Sequence, residues 1–505
     1  MKNQNMKKAT PIVLAAMLTF TGCGSAENFA ADAPVSIMQN KSEAVCYDEC
    51  ADESECEYFG SSEEYSQITE NAFVSAKEEP LSTFSADVDT ASYANLRRMI
   101  RDQTEIPADA VRIEEMINYF HYDYPEPQAN EPFSVTTELA DCPWNPDSKL
   151  MRVGMKAKDI DMQQRKPMNV VFLIDVSGSM YMPDKLPLVQ KAFGMLTDEL
   201  TQNDTVSIVT YAGADTVVLE GENGGNQKAI RTAIEDLEAG GGTAGAAGIT
   251  TAYKIAEKYF IPNGNNRIIL ATDGDLNIGI SSENELKELV EEKRENGVFL
   301  SVLGFGTGNI KDNKMETLAD NGNGNYAYID TETEAKRVLV EEMGSTLVTV
   351  AKDVKFQVEY NDQYVNEYRL IGYENRMLAA ADFNDDTKDA GEIGAGHTVT
   401  ALYELNMNDI AAAEGNICTV SVRYKEPDGD ESTQLDYPVT SDAYSQEMSD
   451  DLRFASAVAS FGMLLRDSEY KGDSSKELVL SLAETEAFAA DPYKAEFAEL
   501  VRQIK

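Results

Sequence analysis

Five side chains carry oxygen donors in a pattern that suits a hard metal ion. Asp175, Ser177 and Ser179 form an Asp-x-Ser-x-Ser run, Thr243 ends a Gly-Gly-Thr stretch, and Asp273 lies in Thr-Asp-Gly. Two carboxylates and three hydroxyls make an all-oxygen donor set, which suits a hard cation. The hydroxyls are neutral and the protein supplies only part of a coordination shell. One position therefore stays open, and a carboxylate from a partner would fill it as a charge-assisted contact.

Other chemistries fail on residue type. The glycines at 240–248 are not followed by the Lys-Ser/Thr pair of a phosphate-binding loop. An Asp-x-Asp phosphotransferase pair is missing because Ser177 replaces the second acid. A Ser-His-Asp hydrolase needs a histidine, and none lies between residues 122 and 396. The two histidines, His121 among aromatic residues and His397 after Gly394-Ala-Gly396, read as packing and turn residues.

The elements that must position these donors are legible from periodicity. Met168–Ile174 is a continuous apolar run, as expected for a strand buried on both faces, and it ends at Asp175. Thr205–Tyr211, Arg267–Thr272 and Val298–Gly304 read as further strands. Helical patterns fall between them, at about Leu186–Leu200, Gln227–Leu237, residues 247–260 and Glu283–Asn296. Strands alternating with helices imply a largely parallel, doubly wound α/β sheet covered on both faces. Ligands of such sheets bind beyond the carboxyl ends of the strands, where Asp175 and Asp273 stand.

Asp175-x-Ser177-x-Ser179, Thr243 and Asp273, in this order and in these strand and loop contexts, closely resemble the metal-ion-dependent adhesion site of von Willebrand factor type A domains. The resemblance covers about residues 168–345. It implies Ser177 and Ser179 as direct ligands, Asp175 and Asp273 acting mostly through water, and Thr243 as a ligand that depends on conformational state. It also implies Mg²⁺ first, with Mn²⁺ or Ca²⁺ as alternatives. The flanks resemble those of a bacterial lipoprotein family: an α+β region before the A domain, at 83–167, and a β-rich, then helical domain after it, at 346–505. Upstream, Asp89 or Thr90 reads as a helix cap, a second helix spans about Arg112–Phe120, and Phe133–Leu139 and Lys149–Met155 alternate as strands. Asp87 and Asp89 suit turn and capping roles better than metal ligation. Downstream, Asp353–Tyr360, Val399–Leu405 and Ile417–Tyr424 read as strands, and the chain is helical from Asp450. The run Asp382 to Asp386 imitates a calcium loop but has Thr387 and Ile393 where Gly and Glu are needed, so it reads as an acidic loop.

The amino terminus has the parts of a secretory signal: Lys7-Lys8, an apolar stretch from Pro11 to Thr21, then small residues around Cys23. The stretch is too short for a stable membrane span. The segment resembles a bacterial lipobox, which implies that residues 1–23 hold a lipoprotein signal, with Cys23 diacylated and left as the mature N-terminus; an ordinary cleaved signal is the alternative. Export, with the folded part anchored outside the cytoplasm by two acyl chains, is the expectation. Residues 24–82 carry a net charge of −12 and few periodic apolar positions, and are expected to be a disordered tether. Cys46, Cys50 and Cys56 within it are open to pairing, to remaining thiols or, least well supported, to metal; Cys142 and Cys418 complete the count.

The 505 residues carry a formal charge of −45, of which −14 falls on 168–345. That charge excludes nucleic-acid binding and electrostatic docking on anionic lipid. It also calls for a partner with a basic surface around its one inserted carboxylate. The expected function is therefore non-enzymatic: a membrane-tethered module that grips a protein through a divalent cation. An envelope assembly factor, in which the metal stabilises or docks domains, is the alternative. A hydrolase has no acid–base constellation to support it.

Overall fold

The computed structural model describes residues 62–128, 131–162, 165–242, 245–274, 283–408, 415–427 and 429–504. Its centre is a six-stranded sheet. The order across it is Tyr326–Ile329, Val298–Phe305, Asn265–Thr272, Met168–Asp175, Thr205–Tyr211 and Asp215–Asn223. The first five strands are parallel, and the last is an antiparallel edge. Every residue of Met168–Asp175 is buried, because helices cover both faces. Leu186–Asp198 packs on one side through Val189, Phe193 and Leu196, with Phe193 stacked on Phe172 at 4.4 Å. Gly245–Lys258 packs on the other through Ile249, Ala252 and Tyr253.

The two flanks do not fold as successive bodies. Two five-stranded antiparallel sheets draw on both of them. One runs Val74–Ser75, Val365–Ile371, Thr398–Met407, Lys149–Ala157, Phe133–Asp141. The other holds Gly391–Gly394, Thr349–Tyr360, Cys418–Lys425 and Ser432–Val439, with Leu81–Ser85 also paired to Thr349–Tyr360. The sheets enclose a shared core that includes Phe84, Met151, Phe356 and Tyr403. Helices Ala91–Asp102, Ile113–Asn118 and Asp450–Arg466, with the shorter carboxy-terminal helices, build a further core around Tyr93, Phe120, Phe454 and Phe497.

The acidic tether was expected to reach residue 82. The described part from 62 onward is instead held to the folded body. Ser62 N–H donates to Gly308 O, Glu64 N–H to Ile310 O, and the Asn71 amide to Leu370 O and Gly372 O. Backbone partners, rather than an apolar stripe, order this stretch, which is why composition alone misjudged it. Cys23, Cys46, Cys50, Cys56 and the signal segment lie outside the described residues. Cys142 and Cys418 are buried free thiols, and burial pushes Cys418 up to about 12. No helix among the described residues is long and apolar enough to cross a membrane.

Buried arginines tie the parts together. Arg97, on Ala91–Asp102, binds Asp330 (Nε to Oδ2, 2.8 Å) and Glu334 (2.7 Å) of the central domain and Glu496 (3.2 Å) near the carboxy terminus. Arg112 reaches Asp312 (2.6 Å) and Glu316 (2.7 Å). His121 departs from its expected packing role. Its aromatic neighbours are buried, but its own ring is exposed and its Nε2 lies 2.9 Å from Glu342 Oε1. His397 is half-buried beside the turn at Gly396 (φ +76°), where the sequence placed a turn.

Candidate functional site

Asp175 closes the central strand Met168–Asp175, and Asp273 follows directly on the adjacent strand Asn265–Thr272. Parallel pairing of the two strands carries both carboxylates to the same sheet rim, and both residues are fully buried. Asp175 Oδ1 accepts the Ser177 N–H at 2.9 Å, and Oδ2 accepts the Thr272 hydroxyl at 3.2 Å. The chain then tightens into a short 3-10 turn, Gly178–Tyr181. At its start the Ser177 and Ser179 hydroxyl oxygens stand 3.0 Å apart. Ser177 is buried and Ser179 is exposed, so the donor set meets solvent at Ser179.

The glycine-rich loop closes on the same turn. Gly178 N–H donates to Gly241 O (3.1 Å), and Gly240 N–H donates to Val176 O (2.8 Å). Gly241 has φ +83°, a conformation that glycine adopts without strain. A Cβ on Gly178 would lie 3.3 Å from Gly241 O. Thr243, the fifth expected donor, lies outside the described residues. Of the other four, the structure brings Asp175, Ser177, Ser179 and Asp273 together at one rim.

A residue that sequence reasoning passed over completes the arrangement. Lys185 is 5% exposed, and its Nζ donates to Asp273 Oδ2 and to Asn309 Oδ1, both at 2.9 Å. Its stem crosses Gly306 (φ +75°), where a Cβ would stand 2.3 Å from Lys185 Cγ. One signal was present in the sequence: Lys185 occupies the N-cap of helix Leu186–Asp198, where the helix dipole disfavours a cation. A lysine there needs a partner elsewhere.

The two carboxylates differ electrostatically. Burial pushes Asp175 up to about 6, and the charge of Asp273 adds to this against the hydrogen bonds from Ser177. Burial acts on Asp273 too, but the Lys185 charge and hydrogen bonds with Ser179, Asn309 and Lys185 hold it below the usual carboxylate range. Asp273 already has a counter-charge, whereas Asp175 has only neutral donors. A hard divalent cation fits these donors: two carboxylates, two hydroxyls and an opening at Ser179. With such an ion bound, the two carboxylates would face three units of positive charge, Lys185 included. The rim would then attract a further anion.

Family models match along the chain: "von Willebrand factor" at residues 60–152, "von Willebrand factor type A domain" at 169–342 and "Uncharacterized protein YfbK, C-terminal" at 345–505. A protein of Escherichia coli (strain K12) described as "Uncharacterized protein YfbK" is 42% identical over 463 residues, spanning 86% of this chain and 80% of that protein. The chain belongs to this family of bacterial von Willebrand factor type A proteins. A second relative of the type A protein, "Uncharacterized protein sll0103" of Synechocystis, is 30% identical over 296 residues, covering 57% of this chain and 69% of its own. Among solved structures, "von Willebrand factor type A from Catenulispora acidiphila" is 15% identical with a TM-score of 0.43, over 76% of this chain and 91% of that one. The central sheet is the type A domain, and domains of this family often bind a divalent metal.

Proposed function

We propose that this type A protein is a non-enzymatic binding module that captures a protein partner through a divalent cation, Mg²⁺ foremost, held by Asp175, Ser177, Ser179, Thr243 and Asp273. The reading rests on one observation above all: two buried carboxylates and a pair of hydroxyls 3.0 Å apart converge at a rim where Ser179, among the four described donors, is the exposed one. An ion there polarises an incoming ligand and leaves the protein nothing further to do chemically. Lys185 orients Asp273 and adds positive charge, and Asp175 fixes the turn through the Ser177 N–H. The partner supplies a carboxylate. Tyr181 (78% exposed) and Met182 (54% exposed) flank the opening and offer apolar contact around it. The acidic surface beyond them favours a partner that is basic around that carboxylate.

The alternative, an assembly factor in which metal docks the domains, has less support. The flanks are joined to the central domain by Arg97 and Arg112, which use none of the rim residues. Export and diacylation at Cys23 would place the module on the outer side of a bacterial membrane. The test is capture of native membrane proteins on Mg²⁺-loaded protein, with chelator elution, comparing wild type with Asp175→Ala. A partner released by chelator and absent from the variant is expected. Equal capture by both proteins in chelator overturns the reading.

A further inference from the structure

Away from the rim, the fold gathers a second set of carboxylates. Asp353 lies on Thr349–Tyr360, and Asp389 and Glu392 lie around the start of Gly391–Gly394, which pairs with it. The register slips between Ala351 and Val354, and Asp353 takes φ +53° at that irregularity. As a result, one oxygen from each of the three residues lies within 4.8 Å of the others. Two oxygens on one Ca²⁺, each about 2.3–2.6 Å from it, stand at most about 5 Å apart, so the pairwise spacings admit a single ion. The shorter bonds of Mg²⁺, about 2.0–2.1 Å, suit the spread less well.

An independent feature points to a ligand. Glu392 is 8% exposed, and its Oε1 is buried without a hydrogen-bond partner. It lines a cavity of about 180 Å³ shared with Asp87, Asp89, Asp320 and Asp389. Asp87 Oδ2, on the same cavity, is also buried without a partner. Buried carboxylate oxygens left this way are costly unless a cation or a proton answers them. Two cations already meet the cluster, but neither bonds Glu392 Oε1. Lys425 Nζ binds Asp353 Oδ2 (2.7 Å), and Arg294 binds Asp389 Oδ2 (2.6 Å). Arg376 binds Asp87, Asp89, Glu316 and Asp320. Asp353 Oδ1 accepts the Ala390 N–H at 3.2 Å. Asp389 is 41% exposed and gives an ion a way in.

We propose that Asp353, Asp389 and Glu392 form a second divalent-cation site, sized for Ca²⁺, at the junction of residues 85–89, the end of helix Asp312–Asn321 and the strand Gly391–Gly394. All three ligands belong to the flank after the central domain, so the ion clamps the irregular pairing of Thr349–Tyr360 with Gly391–Gly394. It is independent of the rim at Asp175 and Asp273.

Equilibrium dialysis of the full chain against radioactive Ca²⁺ tests this. Glu392→Gln preserves shape, and Asp389→Asn sits at the cavity mouth, where folding is least at risk; circular dichroism checks both. Asp273→Asn reports on the rim. Each of the first two variants is expected to lose one bound ion, or to weaken it at least tenfold, and Asp273→Asn is expected to keep that ion. The proposal is overturned if wild type binds no Ca²⁺, if both cavity variants bind as wild type does, or if Asp273→Asn alone removes every ion.

Discussion

Replacing Lys185 by methionine separates the roles of lysine and metal at the rim. The ammonium is the counter-charge of a fully buried Asp273, at 2.9 Å. Removing one partner of a buried ion pair costs about 3–5 kcal/mol, because the other charge is left uncompensated. For a cooperative unit the size of the central domain, each kcal/mol shifts the melting temperature by about 2–4 °C, so metal-free Lys185→Met should melt about 6–20 °C below wild type. A bound divalent ion supplies the missing counter-charge. The rise in melting temperature on adding Mg²⁺ should therefore be larger in the variant than in wild type, with most of the deficit recovered. Thermal melts of both proteins in chelator and in millimolar Mg²⁺ make the comparison. A variant that is destabilised but gains no more from Mg²⁺ than wild type does would refute the reasoning, since Asp273 would then not be shared between lysine and metal.

Arg97→Met should cost about 3–5 kcal/mol in urea unfolding, because Asp330 loses its partner and Glu334 keeps only Arg337 among its close cations; a loss below about 1 kcal/mol contradicts the account of how the flanks are tied. His397 gives a pH test. Burial pushes it down to about 4, with Arg337 and His121 adding to this and Glu342 opposing it. The unfolded chain takes up this proton near pH 6.5 and the folded chain resists until about 4, so stability falls as pH drops through that window, by about 3 kcal/mol in all. His397→Asn should flatten that part of the profile. Glu115 and Glu316, pushed up to about 8 mainly by burial, act in the opposite direction and are common to both proteins, so the difference between the two urea-derived profiles isolates the histidine.

The central sheet was legible in the sequence because its strands are buried on both faces and its helices keep a 3.6-residue period. Met168–Asp175 and Leu186–Asp198 lie within two residues of their expected ends. The edge strand Asp215–Asn223 was not legible, since its residues are half-exposed and lack an apolar run. Ser432–Val439 escaped for a similar reason, and Val365–Ile371, though mostly buried, is broken by Asn366, Glu367 and Arg369. The sharing of sheets between the flanks could not be read from local pattern at all. Leu81–Ser85 pairs with Lys355–Glu359, far along the chain, and no periodicity encodes that partner. At the rim, the convergence of Asp175, Ser177, Ser179 and Asp273 was legible from type and order. Lys185 was not, because its meaning depends on Asn309 and Asp273 meeting it in space. Asp87 and Asp89 keep the expected turn role, with Asp89 N–H donating to Asp87 Oδ1 at 3.1 Å, but both also pair with Arg376. The Asp382–Asp386 stretch, read as an acidic loop, enters through a 3-10 turn, Ala380–Asn384, and Asp386 beyond it pairs with Arg423.

The most direct test of the central claim is a crystal structure of the protein grown with Mn²⁺, read at the manganese absorption edge. The account predicts an anomalous peak beside the Ser177 and Ser179 hydroxyls, facing Asp175 and Asp273, and the loss of that peak in Ser177→Ala. A well-ordered rim with no peak at saturating Mn²⁺, and Lys185 as the sole counter-charge of Asp273, would contradict it.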